Sequence, residues 1–404
     1  MRFLAVLIAR LAAFVSRLAG NAGTSLPGMW ATKIDRKILT KLGREVSQGI
    51  IVVTGTNGKT TTANIVTQFL EAEGYSVICN NVGSNMYNGV VSAFLLNASL
   101  SGKICANYAV LEVDELYTVQ ICKELMPDVF VVTNLYPDQA DRFGSVEEVR
   151  EVLERAIGHA KPDATLILNA DNPDSAVLQT TTSREVAFFG MKQPVDYHAI
   201  KIVGPDRLGL RVEANTGTVD MMTNLRGDYN ISNILAAVAI AHRMGITLES
   251  CAQTLDSIQA QPGRMERFII DEKPVVINMA KNPAGFNRTL DTIREALVSH
   301  DVLLVVNNTP ADGVDIDWYR DIEFERFDSD LTRRFFIGGS CAEAMMARLK
   351  KAGVEEERIH IVKDLTSSIT RALDGKGEAL YVISNYTATF PLRKELVSRM
   401  TMKG

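Results

Sequence analysis

The sequence predicts an α/β protein: a central phosphate-loop α/β domain followed by a Rossmann-like C-terminal α/β domain, behind a basic helical segment. Three observations predict it. Short unbroken apolar runs alternate with helix-like stretches at intervals of roughly 20–35 residues, the pattern of parallel strands buried on both faces. A glycine-bearing turn with a lysine follows the first of these runs and opens a helix. A Pro262-Gly263 break separates that series from a second alternation of the same kind.

At 404 residues the chain suits two or three domains. Its hydrophobic fraction of 46% and charged fraction of 23% are those of a globular enzyme and exclude a largely disordered, collagenous or disulfide-knotted chain. The net charge of −5 gives no reason to expect nucleic-acid binding. That charge is uneven. Residues 1–44 hold Arg2, Arg10, Arg17, Lys33, Arg36, Lys37, Lys41 and Arg44 against Asp35, a net +7, so the remainder carries −12. A basic segment on an acidic body points to contact with an anionic surface. The five cysteines are odd in number, far apart and without a C-x-x-C pair. They read as reduced thiols of a cytoplasmic protein, and no zinc is expected.

The segment 1–45 opens with RFLAVLIARLAAFVSRLA at 2–19. On a helix, Arg2, Arg10 and Arg17 fall within an arc of about 80°, and Phe3, Leu4, Leu7, Ile8, Leu11, Phe14, Val15 and Leu18 cover the opposite side. Arg10 and Arg17 interrupt the run, which falls short of the ~18–20 apolar residues that span a bilayer. Three readings stay open: a helix packed on the body, a helix that also touches a membrane surface, and a signal peptide.

In the central domain, 46–260, strands are expected at 49–55, 75–79, 108–113, 128–134, 164–171 and 186–190. Turn signals and alternation at 195–225 predict antiparallel hairpins, and helices follow at Ser232–Met244 and Leu248–Gln259. In the C-terminal domain, 261–404, strands are expected at 273–279, 301–308, 333–339, 358–362 and 379–386, with helices at 285–299, 340–352, 364–373 and 391–399.

The chemistry concentrates in Thr54-Gly55-Thr56-Asn57-Gly58-Lys59-Thr60-Thr61-Thr62. Glycines let backbone N–H groups approach phosphates, and a helix N-terminus adds positive dipole. Gly55, Thr56, Asn57, Gly58, Lys59, Thr60 and Thr61 are therefore the candidate ATP-binding residues. Lys59 would reach the β- and γ-phosphates, and the Thr60 hydroxyl would ligate Mg²⁺. The general phosphate-loop spacing would need glycine where the chain has Val53. The bland alternative is a strand–turn–helix corner that merely contains glycine and lysine.

T-G-T-N-G-K-T-T is the spelling of the Mur ligase superfamily, and the chain resembles that family further along. Leu111-Glu112-Val113-Asp114-Glu115 ends a strand where the family keeps a magnesium-binding glutamate, which Glu112 matches. Asn134 to Arg142 resembles N-x-x-x-D-H-x-D, with Gln139 in place of the histidine. Asn169 stands in a segment similar to L-N-x-D-D-P, whose asparagine contacts adenine. Asn230 stands in one similar to G-x-H-N-x-x-N-x-x-A-A. Pro262-Gly263-Arg264 resembles the hinge whose arginine reaches the ATP phosphates. These motifs are specific as a set and cover about residues 50–270.

Beyond the hinge, Lys281-Asn282-Pro283-Ala284-Gly285-Phe286-Asn287 and the segment Asn307 to Asp315 with Trp318 are similar to the MurT family, the synthetase subunits of lipid II isoglutaminyl synthase. Four departures stand out. No cysteine lies between Gly190 and Asn224, where that family carries a four-cysteine zinc ribbon. No lysine lies between Asp141 and Ala160 for the carbamylated lysine of peptide-forming ligases. Gln139 and Asn278 replace a histidine and a ribose-gripping aspartate.

The resemblance implies ATP- and Mg²⁺-dependent amidation of the D-glutamate α-carboxylate of lipid II through an acyl phosphate. Lys59, Glu112 and Arg264 would be catalytic, and Thr60 and Glu112 would hold the metal. It also implies a heterodimer with a separate GatD-like glutaminase, whose site Asp312, or failing that Asp315, helps complete. The location expected is cytoplasmic, and peripheral at the inner face of the membrane only under the reading in which the N-terminal helix touches a membrane surface. A stand-alone amino-acid ligase and a nucleotide-binding protein that has lost catalysis remain as alternatives. Lys59 is expected to act on phosphates rather than on packing.

Overall fold

The computed structural model describes the chain except residues 1, 19–24, 81–83, 137–144, 204–206, 310–311, 313–316, 328–329, 363 and 402–404. At 16–18, 203, 317, 366 and 401 only the backbone is described. Gln139, Asp141 and Asp315 therefore lie outside the described residues. The described chain forms two compact units.

The first unit opens with α1 (Arg2–Leu18), α2 (Leu26–Ile34) and α3 (Ile38–Gly43). Then come β1 (Gly49–Thr54), α4 (Lys59–Ala72), β2 (Val77–Cys79), α5 (Tyr87–Asn97), β3 (Tyr108–Glu112), α6 (Thr118–Leu125) and β4 (Val129–Val132). α7 (Val146–Gly158), β5 (Thr165–Asn169), a short α8 (Pro173–Ala176), β6 (Glu185–Gly190), β7 (Tyr197–Val203), β8 (Leu208–Ala214) and β9 (Gly217–Thr223) complete its sheet. α9 (Tyr229–Arg243) and α10 (Leu248–Ser257) follow. Among the described residues the sheet is nine-stranded, in the order β2-β3-β1-β4-β5-β6-β7-β8-β9. It is parallel from β2 through β7, and β7, β8 and β9 form an antiparallel meander, as the hairpin signals predict.

The β1 run GIIVVT is buried at every position, which is why it reads as an unbroken apolar string. β1 lies between β3 and β4, so the chain leaves it in opposite directions on its two sides. In such sheets the crevice beyond the strand ends at that reversal is where ligands sit.

The N-terminal helix packs on the first unit through its small residues and not through its large apolar ones. Ala5, Val6, Ala9 and Ala13 are buried, and Ala5, Val6 and Ala9 share one core cluster with Ala31, Ile38, Leu39 and Phe94. Phe3, Leu4, Leu7, Leu11, Phe14 and Val15 are exposed. The neighbours explain it. Gly28 N–H donates to Ser92 Oγ, and a Cβ on Gly28 would fall 2.0 Å from the carbonyl of Asn88, so this layer closes on backbone and small side chains.

The second unit carries β10 (Arg264–Ile270), β11 (Lys273–Met279), α11 (Pro283–Arg294), β12 (His300–Val305), β13 (Thr332–Gly338) and α12 (Ala342–Lys351). β14 (Ile359–Ile361), α13 (Leu365–Leu373), β15 (Ala379–Ser384) and α14 (Tyr386–Thr401) follow. Its sheet runs β10-β11-β15-β12-β13-β14, parallel except for β10. Alternate residues of β12 feed two cores: Val302 and Leu304 join Phe286 and Phe335, whereas Leu303 and Val305 join Ile369 and Leu392. One strand here is not among those expected: directly after the Pro262-Gly263 break, Arg264–Ile270 is the edge strand β10, paired with β11 and bulged between Arg264 and Glu266.

Candidate functional site

The loop after β1 is shaped by two glycines. Gly55 has φ 121° and Gly58, the residue before α4, has φ 91°. A Cβ on Gly55 would fall 2.4 Å from Thr133 Oγ1, and one on Gly58 would fall 2.2 Å from Asn233 Oδ1. Both backbone angle and proximity thus demand glycine.

Two side chains, Asn134 and Thr133, and the backbone beyond β4 clasp the loop. Asn134 accepts from Asn57 N–H at 3.0 Å and donates back to Asn57 C=O at 2.9 Å. Thr133 Oγ1 donates to Asn57 C=O at 2.7 Å. Thr56 N–H donates to Asn134 C=O at 2.8 Å, and Thr56 Oγ1 bonds the backbone of Tyr136. Thr62 N–H donates to Gly58 C=O at 2.9 Å, so the N–H groups of Lys59, Thr60 and Thr61 occupy the first turn of α4, where a helix has no internal acceptor for them.

Lys59 is nearly buried. Its ammonium donates to Gly55 C=O, to Thr56 C=O at 3.3 Å and to Glu115 Oε1 at 3.1 Å. Burial opposes its charge, but the carboxylates of Glu115, Glu112 and Asp114 outweigh burial and hold its pKa above the ordinary lysine range. Burial pushes the Glu115 carboxyl up, against the pull of Lys59.

Glu112 ends β3 in register with Val53 of β1 and is buried. Asn80 brackets its backbone, accepting from Glu112 N–H at 2.9 Å and donating to its C=O at 2.8 Å. Asn85 Nδ2 lies 3.3 Å from Glu112 Oε1.

The other candidates of this unit surround the loop. Asn169, at the end of β5, donates to Thr133 C=O at 2.7 Å and accepts from Asp171 N–H at 2.9 Å. Asn230, in the first turn of α9, accepts from Asn233, the residue that abuts Gly58. Gly55 to Thr61, Glu112, Asn169 and Asn230 are thus gathered at one edge of one sheet. Glu115 is the residue the sequence reading missed. It lies in a 3-10 turn, Glu115–Tyr117, just past β3, and its only sequence signal is the acidic string Glu112-Val113-Asp114-Glu115.

In the second unit, Arg264 begins β10, and its guanidinium donates to Met279 C=O at 3.3 Å. Asn278, at the position of the family's aspartate, is buried and structural: it accepts from Met265 N–H and donates to Thr289 Oγ1 at 2.7 Å. Asn282 caps α11, and Lys281 stacks over Tyr386. Asp312 is buried, accepting from Thr387 N–H at 2.9 Å, from Thr309 Oγ1 at 2.7 Å and from Thr387 Oγ1.

Among the described residues, no group of three or more His, Cys, Asp or Glu side chains gathers as a metal cage, and no disulfide joins the cysteines. No helix among them is long and apolar enough to cross a membrane.

A glycine-cradled lysine loop at a strand reversal, an adjacent strand ending in a buried glutamate, and a second parallel α/β unit define the Mur ligase class. The Mur ligase middle domain model matches residues 53–241, and the MurT ligase C-terminal model matches residues 279–389. The chain is 31% identical to the lipid II isoglutaminyl synthase (glutamine-hydrolyzing) subunit MurT of Staphylococcus aureus strain COL, over 97% of each chain. It is 30% identical to the same-named subunit of Streptococcus pneumoniae, over 99% of this chain and 98% of that one. The MurF ligase of Thermotoga maritima in complex with ADP shares the fold, with a TM-score of 0.72 at 19% identity, over 91% of this chain and 85% of that one. The chain belongs to the MurT family of Mur ligases.

Proposed function

We propose that the chain is the synthetase subunit of an ATP-dependent enzyme that amidates the D-glutamate α-carboxylate of lipid II to D-isoglutamine in peptidoglycan synthesis. The observation that carries this reading is the near full-length match to two subunits that bear that enzyme's name. A carboxylate is a poor electrophile at neutral pH. Transfer of the ATP γ-phosphoryl group to it gives an acyl phosphate and ADP, and attack by ammonia then expels phosphate and leaves the amide. The protein's work is positioning and charge neutralisation.

The loop fits a triphosphate: its glycines bring backbone close, three first-turn N–H groups of α4 are available as donors, and Lys59 supplies a fixed cation. Thr60 and Glu112 offer hydroxyl and carboxylate oxygens, the donors Mg²⁺ prefers alongside phosphate. When bound, the metal neutralises phosphate charge. Asn169 and Asn230 are assigned to the nucleotide by their motifs, and Arg264 keeps only the assignment that the P-G-R resemblance gives it.

The ammonia source in this reading is a glutaminase partner, and Asp312 serves that partner's site. The test is amidation of lipid II with ATP and Mg²⁺, read by mass spectrometry. Glutamine should support it only with the second polypeptide present, and a high concentration of free ammonium should partly replace that polypeptide. Asp312→Asn should lower the glutamine-driven rate more than the ammonia-driven one. Equal loss of both would place Asp312 in the synthetase chemistry or the fold. Glutamine-driven amidation by this chain alone would refute the two-subunit reading.

A further inference from the structure

The N-terminal helix turns its large apolar side chains to solvent and its alanines to the protein. Phe3, Leu4, Leu7, Leu11, Phe14 and Val15 are 38–63% exposed, whereas Ala5, Val6, Ala9 and Ala13 are at most 4% exposed. At about 100° per residue the six outward residues fall within an arc of about 120°, opposite the buried four. They form one ridge, an apolar patch on the order of 500 Å², which is as large as the patches that mark interaction sites on monomeric proteins. Packing against small neighbours sets the inward face and leaves the large side chains outward. The inward face is already satisfied by small residues, so the ridge carries no structural duty within the first unit.

The surroundings say what covers it. Arg10 borders the arc and is exposed, one Nη donating to Ala98 C=O at 2.8 Å and the rest of its guanidinium facing outward. On α2, Trp30 is 48% exposed, and the Lys33 ammonium sits over its ring, 5.0 Å from the centroid. Arg36, Lys37 and Arg44 are exposed as well, while Arg2 pairs with Glu45 and Lys41 with Asp35. An apolar ridge bordered by Arg10, on a helix packed against a second helix that carries an exposed indole and exposed cations, is the pattern of a segment that lies in the plane of a membrane interface. A second copy of this chain is a poor occupant, since it would bring the same +7 segment against itself.

We propose that α1 and α2 dock on an anionic lipid bilayer, the α1 ridge entering the acyl boundary and Arg10, Lys33 and Arg36 meeting lipid phosphates. Insofar as this puts the chain beside a membrane-borne substrate it rests on the reading above, but docking is measured without catalysis.

The test uses the full chain sedimented with vesicles of equal parts phosphatidylglycerol and phosphatidylcholine, or of phosphatidylcholine alone. Binding to the anionic vesicles should be strong and fall as salt rises. The triple variant Phe3→Ser/Leu11→Ser/Phe14→Ser should bind at least about tenfold more weakly, with unchanged circular dichroism because the residues are exposed. Arg10→Gln/Lys33→Gln/Arg36→Gln should lose about fivefold per charge and most of the salt dependence. Amidation of detergent-solubilised lipid II should survive in both variants, so failed docking and failed amidation are separately scored. Three results would overturn the proposal: wild type left in the supernatant with anionic vesicles, vesicle binding unaffected by the triple variant, or light scattering showing a dimer that the triple variant returns to monomer.

Discussion

Lys59→Met keeps most of the side chain's length and removes its charge. In the wild type that charge lies 3.1 Å from Glu115 and also holds the carbonyls of Gly55 and Thr56. At an effective dielectric of ~20 the ion pair interacts by about 5 kcal/mol, set against the desolvation of two nearly buried ions. Removing one partner exposes that desolvation, a cost of about 3–5 kcal/mol for an uncompensated buried charge. Glu115 can escape it by taking a proton, at about 1.4 kcal/mol for each unit by which the pH exceeds its pKa. Burial already raises this carboxyl, and Lys59 is what pulls it down. An acid whose folded pKa exceeds its unfolded value binds more protons when native. Its contribution to stability is present at low pH and lost as pH rises through the folded pKa. Without Lys59 that pKa climbs further and the window of loss extends upward. The variant should therefore lose more stability at pH 8 than at pH 5, the loss at high pH bounded by the about 3–5 kcal/mol of an uncompensated buried charge. Urea unfolding followed by circular dichroism at the two pH values measures this. ATP-dependent amidation should be absent at both. An equal stability loss at the two pH values would refute the claim that Lys59 keeps Glu115 charged, and retained turnover would remove Lys59 from the chemistry. The two readouts together test the expectation that Lys59 acts on phosphates and not on packing.

Gly58→Ala must hold φ near 91°, costing about 1–2 kcal/mol, and its Cβ would push Asn233 off Asn230, costing about 1 kcal/mol more. Calorimetric titration should show ATP binding at least tenfold weaker, and wild-type affinity would show that the loop tolerates a side chain. The purified chain should hold no stoichiometric zinc, because four suitably spaced ligands are missing between Gly190 and Asn224. Elemental analysis finding one zinc per chain would overturn that cysteine argument.

Buried parallel strands were legible because both faces are covered, so β1, β4 and β12 read as unbroken apolar runs. β10 was not, for two reasons. It follows Pro262-Gly263 directly, and it turns into β11 through Asp271 and Glu272, which adopt φ 50° and 68° without the glycine or asparagine that announces such a turn. α14 begins at Tyr386, with Pro391 inside it, although proline most often marks a first helical position. In α1 the period was visible but not the inward side, which the small residues and backbone of its neighbours decide. In the site, the loop spelling marks a strand–turn–helix with the helix from about Ala63, whereas α4 begins at Lys59, directly after Gly58. The clasps on that loop were not legible. Asn134 reaches Asn57 across 77 positions, and Glu115 sits in an irregular turn, so neither leaves a periodic signal.

The charge around the loop sets a further requirement. Glu112, Asp114 and Glu115 all act on Lys59, so three carboxylates face one ammonium. A triphosphate approaching this group meets net negative charge. At roughly 8 Å and an effective dielectric of ~20–40, each carboxylate–phosphate pair is unfavourable by about 1–2 kcal/mol. ATP binding should therefore depend on a divalent cation, and Glu112 should act in opposite senses with and without it. With Mg²⁺ its carboxylate is a ligand oxygen; without Mg²⁺ it only repels. Glu112→Gln should weaken Mg²⁺–ATP binding at least tenfold, yet leave ATP binding in EDTA unchanged or tighter. Calorimetry in the two buffers reads both arms. If the substitution weakens both equally, Glu112 supports the loop rather than the metal, and the bracketing of its backbone by Asn80 would then be the main reason for its place at the end of β3.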